Sequence, residues 1–262
     1  MSIIKQKIKT IFKKKNNSKV NFIICGTQKG GTTALDFYLR THVEVCMAIK
    51  KEVHYFDKDS NFENKKDTYD KYHKNFSPSL KHKIIGEATP IYMYWKNSIE
   101  RIRKYNPMMK LIIILRNPTN RAYSHWNMET DKKKERRSFH DSIKSEMSVL
   151  ENGFYGNERI ISYVERGFYS IQIKRIFEYF DQNQVFVIRN KALRNNPLEV
   201  LNELSFFLSI SPFENIEHKE VHTRQYKRDM NSVDSELLKN LYHDDICDLE
   251  KLLGWNLSGW KN

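Results

Sequence analysis

The chain has 262 residues and a formal net charge of +13 at pH 7, with 45 lysines and arginines against 32 aspartates and glutamates. That length buries one full core, and it contains no run of about twenty apolar residues that would form a transmembrane helix. The basic excess suits an anionic small ligand, an anionic membrane or a polyanionic substrate, while the aromatic residues form no platform between basic residues of the kind nucleic-acid binding needs.

The first segment, Met1 to Lys15, places Ile4, Ile8, Ile11 and Phe12 on one helical stripe among lysines. It is too broken for a signal-peptide core. Such a stripe suits the surface of an anionic membrane, and the plain alternative is a soluble basic tail. We therefore divide the chain into a basic amphipathic tail, 1–19, and a domain, 20–262. The expected localisation is cytoplasmic, with peripheral membrane contact through residues 1–15.

Next comes an apolar strand, Val20–Cys25, then a turn from Gly26 to Thr33, then a helix, Thr33–Arg40. The adjacent Gly30 and Gly31 let the backbone bend and bring N–H groups close to an anion. Lys29 adds positive charge, and Thr32 and Thr33 add hydroxyls at the positive end of the helix dipole. In the nucleotide-triphosphate loop, G-x-x-x-x-G-K-[ST], the lysine follows the last glycine. Here it precedes the glycine pair, so the turn suits a phosphate-like group in a different arrangement. A plain glycine turn is the simpler alternative.

Strands are then expected at Val43–Met47, Lys83–Gly86, Lys110–Leu115 and Gln184–Ile188, and helices at Asn97–Tyr105, Arg121–Thr130 and Ser170–Tyr179. This alternation predicts an α/β fold: a single P-loop-like domain whose central, mainly parallel sheet of about five strands is flanked by helices. Lys110–Leu115 is continuously apolar after its first residue, as a strand buried on both faces should be. It runs into Arg116, at the carboxyl end of a central strand where open α/β sheets bind ligands. Ser124, two turns into the next helix, is placed to face the same crevice. An arginine fork with a hydroxyl suits a phosphate monoester.

The charge run Asp131–Arg137 reads as a solvated loop or helix end, with guidance of an acidic acceptor as the alternative. Val233–Leu241 is helix-like, and Leu249, Leu252, Leu253 and Trp255 read as a docking helix and its end. Cys25, Cys46 and Cys247 show no C-x-x-C spacing and read as free thiols in a reducing compartment. His42, His54, His73 and His82 lack metal-ligand spacing.

Together the turn Gly26–Thr33 and the strand ending in Arg116, Asn117 and Pro118 with Arg121 and Ser124 resemble the two donor-binding motifs of the sulfotransferase family. The donor there is 3′-phosphoadenosine 5′-phosphosulfate (PAPS), and its desulfated product is PAP. Two further stretches, Lys51-Glu-Val-His-Tyr-Phe-Asp57 and Gly86-Glu-Ala-Thr-Pro-Ile-Tyr92, extend the resemblance to the branch that sulfates glycans, including heparan sulfate. Weaker similarity runs through Arg166–Tyr169, Val185–Ile188 and Pro197–Leu208, so the resemblance covers roughly residues 20 to 240.

The resemblance implies that Gly26, Thr27, Gln28, Lys29, Gly30, Gly31, Thr32 and Thr33 hold the 5′-phosphosulfate, and that Arg116 and Ser124 hold the 3′-phosphate. Tyr169 joins the donor-binding set, and Tyr226, Lys227 and Arg228 match a basic loop that closes over the donor. It implies Glu52 as the base, with His54 orienting it or the acceptor, and Lys29 neutralising the bridging oxygen as the bond breaks. The residues alone leave the choice between Glu52 and His54 open. No metal is required by this chemistry. The expected partner is a glycan, glycolipid or other hydroxyl or amine acceptor. One departure stands out. Ala88 replaces a lysine that follows the glutamate in some glycan-modifying relatives, which weakens heparan sulfate itself as the substrate. Two competing readings are a kinase-like P-loop phosphotransferase and a nucleotide-binding relative that has lost catalysis.

Overall fold

The computed structural model describes residues 19–63, 69–153, 156, 158–216 and 229–261. Five strands, β1 (Phe22–Gly26), β2 (Val45–Met47), β3 (Ile84–Ala88), β4 (Lys110–Leu115) and β5 (Val185–Arg189), form one sheet in the order β2-β3-β1-β4-β5. Every neighbouring pair is parallel. Each strand lies within two residues of the position its apolar run predicts.

The described helices are α1 (Thr32–Thr41), α2 (Asp70–His73), α3 (Ser98–Tyr105), α4 (Pro118–Asp131), α5 (Phe139–Leu150), α6 (Tyr169–Phe177), α7 (Asn190–Asn195), α8 (Pro197–Leu208), α9 (Ser232–Leu253) and α10 (Ser258–Lys261). They cover both faces of the sheet, and the strand side chains alternate between two cores. Ile23, Cys25, Leu111, Ile113 and Leu115 pack with α3, α4, α6 and α9, whereas Phe22, Ile24, Ile112 and Ile114 pack with α1 and α8. This double burial is why β1 and β4 read as unbroken apolar runs.

Two expectations are refined. The C-terminal helix and the docking segment after it form one 22-residue helix, α9. The charge run 131–137 is not wholly solvated. Glu135 is buried and accepts bonds from the amides of Arg136 and Arg137, each at 2.9 Å. The side chains of Asp245 and Tyr169 tie α9 to the sheet. Asp245 of α9 accepts from the amide of Tyr169 at 2.8 Å and from the hydroxyl of Ser170 at 2.6 Å, capping α6. Tyr169 in turn is fully buried, and its hydroxyl donates to the carbonyl of Arg116 at 2.8 Å.

Candidate active site

The turn 26–33, Glu52, His54, Arg116 and Ser124 follow the carboxyl ends of β1, β2 and β4 or lie in the helices that open from them. This is where parallel α/β sheets leave a crevice. The turn after β1 is pinned under the end of β4. The Thr27 amide donates to the Ile114 carbonyl at 3.1 Å, and the Gly30 amide donates to the Thr27 carbonyl at 2.8 Å. A Cβ on Gly30 would lie 2.3 Å from the Ile114 carbonyl oxygen, so no larger residue fits there without backbone movement. Gly31, at φ 113°, is the N-cap of α1, and this helix has neither a side-chain cap nor an acidic residue in its first turn. Its positive end is therefore open towards the edge.

The other members of the turn have distinct places. The Thr27 side chain is turned inward, with its hydroxyl 3.7 Å from Met93 Sδ. Gln28 Oε1 accepts from Arg166. Lys29 sits at φ 68°, in the left-handed region. Thr32 is buried and Thr33 half-buried at the start of α1. From the start of α7, Asn190 Nδ2 donates to the Gly30 carbonyl at 2.6 Å and buttresses the turn from the side.

Arg116 follows β4 directly, and its carbonyl is held by Tyr169. Ser124 is buried on the second turn of α4. Behind the turn lie two fully buried arginines, Arg121 and Arg166. Burial lowers the Arg166 pKa to about 10. Among the described residues Arg121 Nε and Nη1 have no hydrogen-bond partner. His125, also fully buried, is pushed well below its ordinary value by burial and by the charges of Arg166, Arg121 and Lys29. These groups put a positive field at one end of the crevice, as an anionic ligand requires.

The stretch after β2 forms a different assembly. His54 Nε2 lies 3.2 Å from Glu52 Oε2, and His54 Nδ1 lies 2.9 Å from Asp57 Oδ2. Lys51 Nζ is 3.2 Å from Glu52 Oε1, and Arg159 Nη1 is 2.5 Å from Asp57 Oδ2. The Arg159 guanidinium also stacks on Trp95 at 4.1 Å. Charges therefore alternate along Lys51, Glu52, His54, Asp57 and Arg159. Hydrogen bonds to Asp57 and then Glu52 raise the His54 pKa to about 9 against the opposing effect of burial. Burial alone would raise the Glu52 carboxyl, but its bond to His54 and the Lys51 charge outweigh burial, leaving it below its ordinary value. Near neutral pH the geometry thus holds an ionised Glu52 beside a protonated His54. This pairing favours Glu52 over His54 as a proton acceptor.

The segment after β3 supports both assemblies. Its Met93 amide donates to the Cys25 carbonyl at 2.8 Å, beside the phosphate-type turn. Its Thr89 hydroxyl accepts from the Val53 amide at 3.0 Å, and its Tyr92 hydroxyl accepts from the Tyr55 amide at 2.9 Å. Sequence reasoning assigned no role to Asp57, Glu87, Arg159, Arg166 or Asn190. Asp57 and Glu87 stood inside recognised stretches, so a role was open to inference there. Arg159 and Asn190 reach the site only through the fold, and no local pattern marks them. Tyr226, Lys227 and Arg228 lie outside the described residues, as does the tail 1–15.

Comparison with known proteins agrees with this architecture. Residues 19–244 match the sulfotransferase domain family. The chain is 35% identical over 145 residues to the membrane-associated sulfotransferase kil1 of Dictyostelium discoideum, covering 53% of this chain and 30% of that protein. It is 30% identical over 190 residues to heparan sulfate glucosamine 3-O-sulfotransferase 5 of Homo sapiens, covering 72% of this chain and 53% of that protein. The matches thus span about half or less of those relatives' length. The crystal structure of a sulfotransferase from Alicyclobacillus acidocaldarius superimposes with a TM-score of 0.79 at 27% identity, covering 94% of this chain and 100% of that one. The fold, the turn after β1 and the match across residues 19–244 lead to one conclusion: this chain belongs to the sulfotransferase domain family.

Proposed function

We propose that the chain transfers a sulfuryl group from PAPS to a hydroxyl or amine on a carbohydrate acceptor. The observation that carries this reading is the opposed pair of assemblies at one sheet edge. One is a cationic turn with an open helix end, and the other an ionised Glu52 paired with a protonated His54. The first suits a donor with anionic groups at both ends: the turn 26–33 takes the phosphosulfate, and Arg116 with Ser124 takes the 3′-phosphate. The unpartnered nitrogens of Arg121 and the uncapped start of α1 fit such an anion.

In the transfer the acceptor oxygen or nitrogen attacks sulfur, forming one bond as the bond from sulfur to the phosphate oxygen breaks. The electron pair leaves with PAP, where Lys29 neutralises the developing charge. Glu52 receives the acceptor proton, and His54 holds Glu52 in line. The protein's contribution is positioning and charge stabilisation. The similarity to relatives such as the heparan sulfate glucosamine 3-O-sulfotransferase supports a carbohydrate acceptor. Ala88 is buried and offers no cation to an acidic sugar, so a less anionic glycan or a glycolipid suits the site better than heparan sulfate. A transfer screen with radiolabelled PAPS over neutral glycans, glycolipids, heparan sulfate and small phenols tests this. Label on the carbohydrates supports the reading, and label on phenols alone overturns it. ATP should neither turn over nor displace PAP, and this separates the reading from a kinase.

A further inference from the structure

Glu87, at the carboxyl end of β3, is fully buried, and the hydrogen bonds to its carboxylate come from hydroxyls. Its two oxygens accept three hydroxyl protons. Tyr72 of α2 donates to Oε1 at 2.8 Å, Tyr92 to Oε1 at 3.2 Å, and Thr89 to Oε2 at 2.6 Å. Two of these hydroxyls are themselves acceptors. Thr89 Oγ1 takes the Val53 amide at 3.0 Å, and the Tyr92 hydroxyl takes the Tyr55 amide at 2.9 Å. Val53 and Tyr55 flank His54, and Val53 follows Glu52 directly. His54 itself sits at φ 53°, a backbone region that a non-glycine residue keeps only when its surroundings enforce it.

We propose that Glu87 is a positioning residue for the reacting loop: through the hydroxyls of Thr89 and Tyr92, its carboxylate sets where Glu52 and His54 stand. This rests on the reading of Glu52 and His54 as the reacting pair. The proton count gives the reason for an acid at this position. Each relay hydroxyl has one hydrogen. With the amide taking an oxygen lone pair, that hydrogen is free to go to Glu87, at 2.6 Å from Thr89 and 3.2 Å from Tyr92. Three amides (Val53, Tyr55 and, at 3.5 Å, Phe56) and three hydroxyls make six donors, and the ionised carboxylate with the two relay oxygens accepts all six. A proton on Glu87 adds a donor and takes one of the carboxyl's acceptor positions, so a hydroxyl that points at Glu87 loses its charged acceptor and its hold on the loop amide weakens.

The network is therefore pH-sensitive. Burial raises the Glu87 pKa to about 7, with the three hydroxyls opposing that rise and the Asp57 charge adding to it. Tyr72, Tyr92 and Asp57 act on Glu87, and Tyr105 of α3 in turn feels its charge; the pKa values of the three tyrosines are raised by burial first. The carboxyl of Glu87 is thus the group of this set that changes charge near neutrality. The form that closes the network is the ionised one, which burial disfavours.

Amide hydrogen exchange across residues 51–57 tests the proposal in the full chain. Thr89→Val should deprotect the Val53 amide, Tyr92→Phe the Tyr55 amide, and Glu87→Gln both, each by about fivefold or more, the worth of one hydrogen bond. Wild-type protection at both amides should fall below about pH 7, and Glu87→Gln should lose that dependence. In Glu87→Gln the His54 imidazole, followed by NMR, should also titrate lower as it loses Glu52. Amides of β1 and β4 should keep their protection, and PAP affinity should stay within about twofold. If Glu87→Gln loses β1 and β4 protection as well, the two relay variants decide. Unchanged Val53 and Tyr55 protection in folded variants overturns the proposal. Failure of wild-type protein to bind PAP would count against the function proposed above, while leaving the exchange result standing.

Discussion

His54 Nε2 stands 3.2 Å from Glu52 Oε2, so the two residues that compete for the base role in the sequence are partners in the structure. The second carboxylate, Asp57, holds the other ring nitrogen at 2.9 Å and keeps the imidazole charged.

A pH prediction follows from that clamp. Bonds to Asp57 and Glu52 raise the His54 pKa to about 9, above the ordinary 6.5. A pKa raised on folding gives stability that is complete below about pH 6.5 and is lost as pH rises through about 9. The thermal-stability gap between wild type and His54→Asn should therefore shrink from pH 6.5 to pH 10. A gap that stays constant over that range contradicts the clamp.

Arg116→Ala should weaken PAP by about 2–3 kcal/mol in calorimetry, the scale of a lost charge-assisted hydrogen-bond pair. Tyr169→Phe should act more mildly on PAP, because the Tyr169 hydroxyl reaches the donor site through the Arg116 carbonyl. It should lower stability by about 1 kcal/mol. Equal PAP affinity in wild type and Arg116→Ala would remove Arg116 from the donor site.

Gly30→Ala introduces a Cβ 2.3 Å from the Ile114 carbonyl oxygen, and neither backbone can yield cheaply. Stability should fall by about 1–3 kcal/mol, as overpacking does. PAP affinity should fall further than the stability loss requires, since the turn itself is displaced. A variant with wild-type melting and PAP binding would show that the turn is looser than this packing implies.

The sheet was legible in the sequence because both of its faces are buried. Runs such as Phe22–Cys25 and Leu111–Leu115 then contain little but apolar residues, and each ends where a turn residue or Asn117-Pro118 stops it. The donor-type turn was legible because its glycines and lysine are contiguous. The reacting loop was legible only in part. Glu52 and His54 lie two residues apart, but their shared clamp depends on Arg159, about a hundred positions away, and on hydroxyls from the β3 segment. Long-range partners of this kind leave no local pattern. The protonation of His54 was equally hidden, because it depends on the Asp57 and Glu52 distances.

The tail 1–15 contains no donor motif, and the matched family domain begins at residue 19. A truncation starting at Lys19 should keep PAP affinity and turnover on a soluble acceptor. We also propose that the tail contacts anionic membranes: full-length protein should sediment with anionic liposomes, and added salt should release it. Loss of PAP binding by a folded truncation would bring the tail into the site.

Turnover and PAP affinity measured together for Glu52→Gln test the central claim most directly. The substitution keeps the side-chain shape and removes the base. Transfer of radiolabelled sulfate from PAPS to a carbohydrate acceptor should fall about 10²–10⁴-fold, the usual range for a lost general base, with PAP affinity unchanged and thermal stability lowered only by the lost pairs with His54 and Lys51. Near-wild-type transfer by Glu52→Gln, alongside an inactive His54→Ala that still binds PAP, would contradict the account and make His54 the base.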